Sequence, residues 1–64
     1  MALQDNILRH RDRLGLTQRQ LAEKAGLSQP AVAQYELGQK KPSLNALFKL
    51  AVALGVDASE LLAS

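Results

Sequence analysis

The sequence lacks cysteine and tryptophan altogether and contains only one tyrosine and one phenylalanine. The absence of cysteine excludes a disulfide scaffold and thiolate metal sites, and it is compatible with a reducing cytosol. No apolar run approaches the roughly 20 residues that a membrane span needs. The first residues also lack the basic-then-apolar order of a signal peptide. These absences predict a soluble, cytoplasmic protein.

Aliphatic side chains must supply the core, because 47% of the residues are hydrophobic but only 3% are aromatic. A chain of 64 residues has room for one domain with a modest core, stabilised by only about 3–5 kcal/mol. We therefore expect a single domain over residues 1–64, either complete or the head of a longer protein. The net charge of +2 fits nucleic-acid binding without requiring it.

Apolar residues recur at helical spacing with breakers between them, and no segment alternates as a strand would. This pattern predicts an all-α fold of five helices. The first helix should run from about residue 3 to 14, with Leu3, Ile7 and Leu14 facing inward and Gly15 ending it.

Helices two and three are predicted to meet at a sharp angle. Thr17 and Gln20 have the spacing of a capping box for helix two, and Gly26 ends that helix. Ser28 then caps helix three, with Pro30 in its first turn, where a missing N–H costs nothing. Helix three should extend to about residue 37.

The last two helices are predicted by further caps and breakers. A polar loop over residues 38–42 precedes Ser43, which caps helix four, and Gly55 ends that helix. Asp57 and Glu60 form a capping box for a short fifth helix that contributes Leu61 and Leu62. Five residues share one predicted face of helix four: Leu44, Leu47, Leu50, Ala51 and Leu54.

Residues 18–37, QRQLAEKAGLSQPAVAQYEL, carry a recognisable motif. Ala22 is small enough for two helices to cross closely, and Gly26 permits the positive φ of a tight turn. The segment resembles the phage-repressor and Cro-like (lambda-repressor-like) family of helix-turn-helix DNA-binding domains, and the resemblance covers nearly the whole chain. It rests on Ala22, Gly26, Leu21, Leu27, Val32 and Tyr35, and on the YELG and KPS segments that follow helix three.

The outer side of helix three is the candidate base-reading surface. Val32 and Tyr35 lie on one side at about 100° per residue. The opposite side consists of Gln29, Pro30, Ala33 and Gln34. Glutamine can match the N6/N7 edge of adenine, and a small alanine leaves room for a thymine methyl. The alternative is a solvated polar face; the resemblance implies base contact in the major groove.

The resemblance also implies a set of phosphate contacts. Gln18 and Ser28, at the starts of helices two and three, would hold phosphates through side chain and backbone N–H groups. Lys40 and Lys41 in the following loop would approach the DNA backbone, although loop lysines are commonly only solvated. Arg19 is a further candidate.

Arg11 and Glu36 occupy positions where the family often has a buried ion pair, so Arg11 is not expected to contact DNA. The sequence departs from many relatives at Gln39, where a basic residue is common, and at Pro30, which can offer only apolar contact. His10 is the only histidine, and a lone imidazole without clustered ligands predicts no metal or catalytic role. No cofactor, small-molecule ligand or enzymatic activity is expected.

The predicted function is a DNA-binding transcriptional regulator, expected to be a repressor of phage or bacterial type. One helix reads only about 4 or 5 base pairs, so a homodimer on a palindromic operator is expected. Exposed apolar patches mark interfaces, which points to a dimer surface near the C-terminus: Val52, Val56, Leu61 and Leu62. Phe48 could instead complete the monomer core.

A second hypothesis is a protein-interaction module or antitoxin with the same fold. The combination of Gln18, Ser28 and the two loop lysines favours DNA, because a pure interaction module has no reason to retain these residues together.

Overall fold

A computed structural model describes residues 2–63 of the chain. The predicted all-α class is confirmed, and the described residues contain no strand. The helices are α1 (Leu3–Arg13), α2 (Gln18–Ala25), α3 (Gln29–Glu36), α4 (Leu44–Leu54) and α5 (Ala58–Leu62). Helices α1 and α3 each end one residue before the predicted end.

Local hydrogen bonds start the helices where the sequence predicts. The Thr17 hydroxyl accepts the Gln20 N–H at 3.0 Å, while the Gln20 side chain accepts the Thr17 N–H at 2.8 Å. Ser28 and Ser43 each accept the backbone N–H three residues later, at 3.2 and 3.1 Å. These bonds satisfy N–H groups that the first turn of a helix leaves without partners. A further capping box, also as predicted, joins Asp57 and Glu60.

The turn between α2 and α3 is tight. Gly26 has φ +70°, a left-handed conformation that a side chain would strain. The next N–H, from Leu27, returns to the Ala22 carbonyl at 2.9 Å. Because Ala22 is small and buried, α2 and α3 can pack against each other directly. The turn therefore determines where α3 points.

One aliphatic core joins the five helices. Helix α4 contacts α1, α2 and α5, while α3 packs on α1 and α2. The largest fully buried side chains come from all five helices: Ile7, Leu21, Val32, Leu50 and Leu61.

Two leucines predicted to face inward, Leu14 and Leu44, lie instead at the surface, and so does Leu62, a residue of the predicted dimer surface. Leu14 is 46% exposed because it follows the last residue of α1, and Leu16 packs against the core in its place. Leu44 is 67% exposed because it is the first residue of α4, at one end of the packed region. Leu62 is 59% exposed; its neighbour Leu61 takes the inward position, about 100° away around α5.

Asn6 fastens the last helix to the first. Its side chain is buried and donates to the carbonyls of Leu61 at 2.9 Å and Ala63 at 2.8 Å. Buried amide groups are nearly always hydrogen-bonded. The last carbonyls of a helix have no partner within the helix and can accept such bonds. No local pattern in the sequence predicts this contact.

Candidate functional site

The two sides of α3 differ in burial as the helical periodicity predicts. Val32 is fully buried and Tyr35 is 8% exposed, both on the core side. On the opposite side, Gln29, Pro30 and Gln34 are exposed and Ala33 is half-buried. The outward side of α3 is therefore a surface without formal charge, carrying two amides beside small or apolar groups.

The N-termini of α2 and α3 lie side by side, and a hydrogen bond joins them. The Gln29 amide nitrogen donates to Gln18 Oε1 at 3.0 Å. Ser28 immediately precedes α3, and its hydroxyl oxygen accepts the Ala31 N–H, so the hydroxyl proton can be donated outward. Both helix ends present a positive dipole and N–H groups suited to an anion.

A largely buried ion pair lies behind these helix ends. Arg11 Nε and Nη2 donate to the two carboxylate oxygens of Glu36 at 2.6 and 3.0 Å, and Nη1 donates to the Leu16 carbonyl at 2.8 Å. The side chains of Arg11 and Glu36 are only 13% and 4% exposed. The hydrogen bond with Glu36 raises the pKa of Arg11 despite the opposing effect of burial. The predicted ion pair between Arg11 and Glu36 is confirmed. The hydrogen bonds of the Arg11 guanidinium to Glu36 and Leu16 lie inside the protein.

Glu36 also connects the ion pair to the surface. Its Oε1 accepts a hydrogen bond from Gln18 Nε2 at 3.0 Å, in addition to the one from Arg11. Arg11, Glu36, Gln18 and Gln29 thus form a continuous hydrogen-bonded chain from the interior to the outward side of α3. The resemblance implied the Arg11–Glu36 pair, but the sequence offered no signal for the bonds that continue it through Gln18 to Gln29, because these residues are widely spaced and come from two helices.

The two candidate lysines lie in the loop between α3 and α4. Lys40 and Lys41 are exposed, and neither lies within 4.0 Å of a carboxylate among residues 2–63. The loop begins at Gly38, with φ +73°, where an added Cβ would collide with the Gln4 amide. The side chain of Gln4, in the first turn of α1, therefore lies next to the start of this loop. The exposed Arg19 lies in the first turn of α2.

An apolar stripe follows the outer side of α4. Leu44, Phe48 and Val52 recur at four-residue intervals and are 67%, 52% and 80% exposed. The prediction that Phe48 could complete the monomer core is wrong, because its position on α4 faces away from the core residues Leu47 and Leu50.

The predicted C-terminal dimer surface is correspondingly revised. Leu61 is fully buried and unavailable to a partner, since α5 turns it toward α1 and α4. Val56 is half-buried against the core, whereas Val52 and Leu62 are exposed.

The described part of the chain, residues 2–63, has no helix with the length and apolar character of a membrane span. It also contains no group of three or more His, Cys, Asp or Glu side chains placed to hold a metal ion. His10 is half-buried on α1.

Residues 7–61 match the model of a family described as helix-turn-helix, HTH_3. An uncharacterized HTH-type transcriptional regulator from Haemophilus influenzae is 40% identical over 55 residues. The match covers 86% of this chain and 56% of that protein, so the chain spans little more than half of the relative's length.

Solved structures with the same arrangement of helices include two with TM-scores of 0.91. One is the restriction-modification controller protein C.AhdI from Aeromonas hydrophila, with 35% identity, covering 94% of this chain and 91% of that chain. The other is the P22 c2 repressor in complex with a synthetic operator, with 27% identity, covering 97% and 94% respectively. These likenesses confirm the predicted fold class, a five-helix lambda-repressor-like domain.

Proposed function

This chain belongs to the HTH_3 helix-turn-helix family, and from that premise we propose that it is a sequence-specific DNA-binding regulator of transcription that inserts α3 in the major groove. The observation that carries the proposal is the outward side of α3, which is uncharged and largely exposed and is flanked by two helix N-termini and a loop with two exposed lysines. The P22 c2 repressor in complex with its synthetic operator supports a repressor role. Such a regulator would act in the cytoplasm, on the nucleoid.

The base-reading residues in this proposal are those on the outward side of α3. Gln29 and Gln34 each carry a donor and an acceptor, as the N6/N7 edge of adenine requires. Ala33 permits close approach to a thymine methyl, and Pro30 contributes apolar contact only. Because all four lie on one side of a single helix, they can meet adjacent base pairs.

The phosphate contacts flank this surface. The N-termini of α2 and α3 would hold phosphates through backbone N–H groups, Ser28 and the second N–H of the Gln18 amide. Lys40, Lys41 and Arg19 would add electrostatic attraction, which does not depend on base sequence.

A homodimer on a palindromic operator is the second part of the proposal. Two-fold pairing would place the recognition helices about 34 Å apart, one turn of DNA. The exposed stripe of Leu44, Phe48 and Val52 offers a self-complementary apolar surface. Three side chains cannot form a large interface, and interfaces below about 1,200 Å² are usually transient. We therefore expect weak pairing in solution and cooperative pairing on DNA.

The base-reading and phosphate roles predict different binding behaviour. Replacing Gln29 or Gln34 with alanine should cost about 1–3 kcal/mol of discrimination at one base pair, with little change in non-specific binding. Lys41→Ala should weaken binding to all sequences and reduce the salt slope by about one unit per contact, or two per dimer. Gln18→Ala should lower affinity broadly without that change of slope, because a neutral side chain releases no counterion of its own.

The measurement is the affinity for a site selected from random DNA and for a scrambled duplex, across a salt series. Lys24→Ala is the matched control, since it removes an exposed lysine from the far end of α2 and should leave the salt slope nearly unchanged. If neither glutamine variant changed the cognate-to-scrambled ratio while Lys41→Ala did, α3 would not be the reading element.

The dimer is tested by Val52→Glu. Val52 is 80% exposed, so the substitution should leave the fold intact while placing carboxylates near the two-fold axis. Sedimentation should show the parent as mostly monomer at micromolar concentration and as a 2:1 complex on a palindrome, with cooperativity lost in Val52→Glu. Leu14→Glu, the same kind of change at the end of α1, is the control and should bind as the parent does. A saturated 1:1 parent complex on the palindrome would contradict the homodimer.

A further inference from the structure

The buried carboxylate of Glu36 determines which atoms donate and which accept along the hydrogen-bonded chain from Arg11 to Gln29. The Glu36 carboxylate can only accept hydrogen bonds, and both of its oxygens already accept from Arg11. Its side chain is 4% exposed, so little of it is left for water. Any amide that meets Glu36 must therefore do so with its nitrogen.

The requirement for a donor at Glu36 determines in turn the orientations of two amides, those of Gln18 and Gln29. Gln18 places Nε2 on Glu36 at 3.0 Å, which turns its Oε1 toward Gln29. Gln29 must then present a donor, and it does so with Nε2 at 3.0 Å. One N–H of Gln29 is thereby used within the protein, while its Oε1 and second N–H remain for a ligand.

The remaining groups of Gln29 have a defined order along the base edge. Adenine offers an acceptor at N7 and a donor at N6, so a bidentate glutamine must present its N–H and C=O in the matching order. Rotating the amide by 180° reverses that order. An amide held by a neighbour therefore discriminates better than one that is free to rotate.

We propose that Glu36 is a positioning residue for DNA sequence recognition: acting through Gln18, it determines the donor–acceptor order of Gln29 and hence the base preference at one base pair. This inference rests on the proposed function of α3 as the reading element. Gln34 provides an internal comparison, because its exposed amide makes no side-chain hydrogen bond within residues 2–63. Base preference at the Gln34 position should not depend on Glu36.

The test is Glu36→Gln, which retains the shape of the side chain but replaces one acceptor with a donor. In this variant the Gln18 amide could either donate to the oxygen or accept from the nitrogen of the side-chain amide at position 36. The donor–acceptor order of Gln29 would then no longer be determined. Duplexes carrying each of the four base pairs at the position identified by Gln29→Ala are compared with the same series at the Gln34 position. We expect base preference to fall about tenfold at the first position, within the range for one bidentate contact, and to be retained at the second.

A second readout uses the protein without DNA. NMR of the side-chain amides should show Gln18 and Gln29 with distinct, slowly exchanging Nε2 protons in the parent, and these properties should be lost in Glu36→Gln. Gln18→Met breaks the chain while leaving the ion pair in place. In addition to the broad loss of affinity expected from removing a phosphate contact, it should cause the same loss of preference at the Gln29 position. This variant keeps the inference testable if Glu36→Gln does not fold.

Ile7→Val controls for stability, since it alters a fully buried core residue without touching the chain. All variants are compared at a temperature where each is folded. An unchanged preference at the Gln29 position in folded Glu36→Gln, or in Gln18→Met if Glu36→Gln does not fold, or an equal loss in Ile7→Val, would overturn the inference alone. A parent without any sequence preference would overturn the proposed function as well.

Discussion

Replacing Arg11 with alanine should lower the free energy of unfolding by about 3–5 kcal/mol, enough to leave much of a domain of this size unfolded. The substitution removes both hydrogen bonds to the Glu36 oxygens and the bond to the Leu16 carbonyl. The Glu36 side chain, only 4% exposed, would remain with a single donor from Gln18. The cost is dominated by this poorly compensated buried charge.

The measurement is urea or thermal unfolding of Arg11→Ala beside Arg13→Ala. Arg13 is exposed at the end of the same helix, so its replacement should change stability by no more than about 0.5 kcal/mol. If Arg11→Ala melted within a degree or two of the parent, the ion pair would not contribute to stability.

The pH dependence of this contribution follows from the raised pKa of Arg11. A group whose pKa is higher in the folded state stabilises the fold fully below its unfolded-state pKa and loses that contribution as pH rises through the folded-state value. For an arginine, both values lie far above neutrality. The Arg11 contribution should therefore be constant across the neutral range.

Leu50→Ala should lower the free energy of unfolding by about 2–5 kcal/mol. Leu50 is fully buried in the middle of α4, the helix that packs on α1, α2 and α5. Removing its branched side chain costs the transfer energy of the lost atoms and leaves a cavity that the rigid neighbours fill only in part.

Leu44→Ala is the matched control, because it makes the same chemical change on the same helix at a residue that is 67% exposed. Its effect should stay within about 0.5 kcal/mol. Chemical denaturation of the two variants measures the difference directly. Equal destabilisation by both would mean that Leu44 is packed in solution and that the outer stripe of α4 is not free.

Much of the fold could be predicted because its signals are local. The capping box of Thr17 and Gln20 and the left-handed Gly26 act within a few residues, and they determine where α2 begins and ends. The two sides of α3 follow from helical periodicity, so the outward position of Gln29 and Gln34 could also be predicted. The sequence by itself therefore determined the helices, the sharp turn and the composition of the candidate reading surface.

Only the tertiary structure decided which apolar side chains are buried and which polar side chains hydrogen-bond to one another. Leu44 and Leu50 share a periodic pattern, but burial depends on whether another part of the protein lies opposite, and Leu50 is covered whereas Leu44 is 67% exposed. Asn6 reaches the end of α5, and Gln18 joins Glu36 to Gln29, across separations that no local pattern encodes. Such contacts exist only once distant helices have packed, because a hydrogen bond needs both partners within about 3 Å.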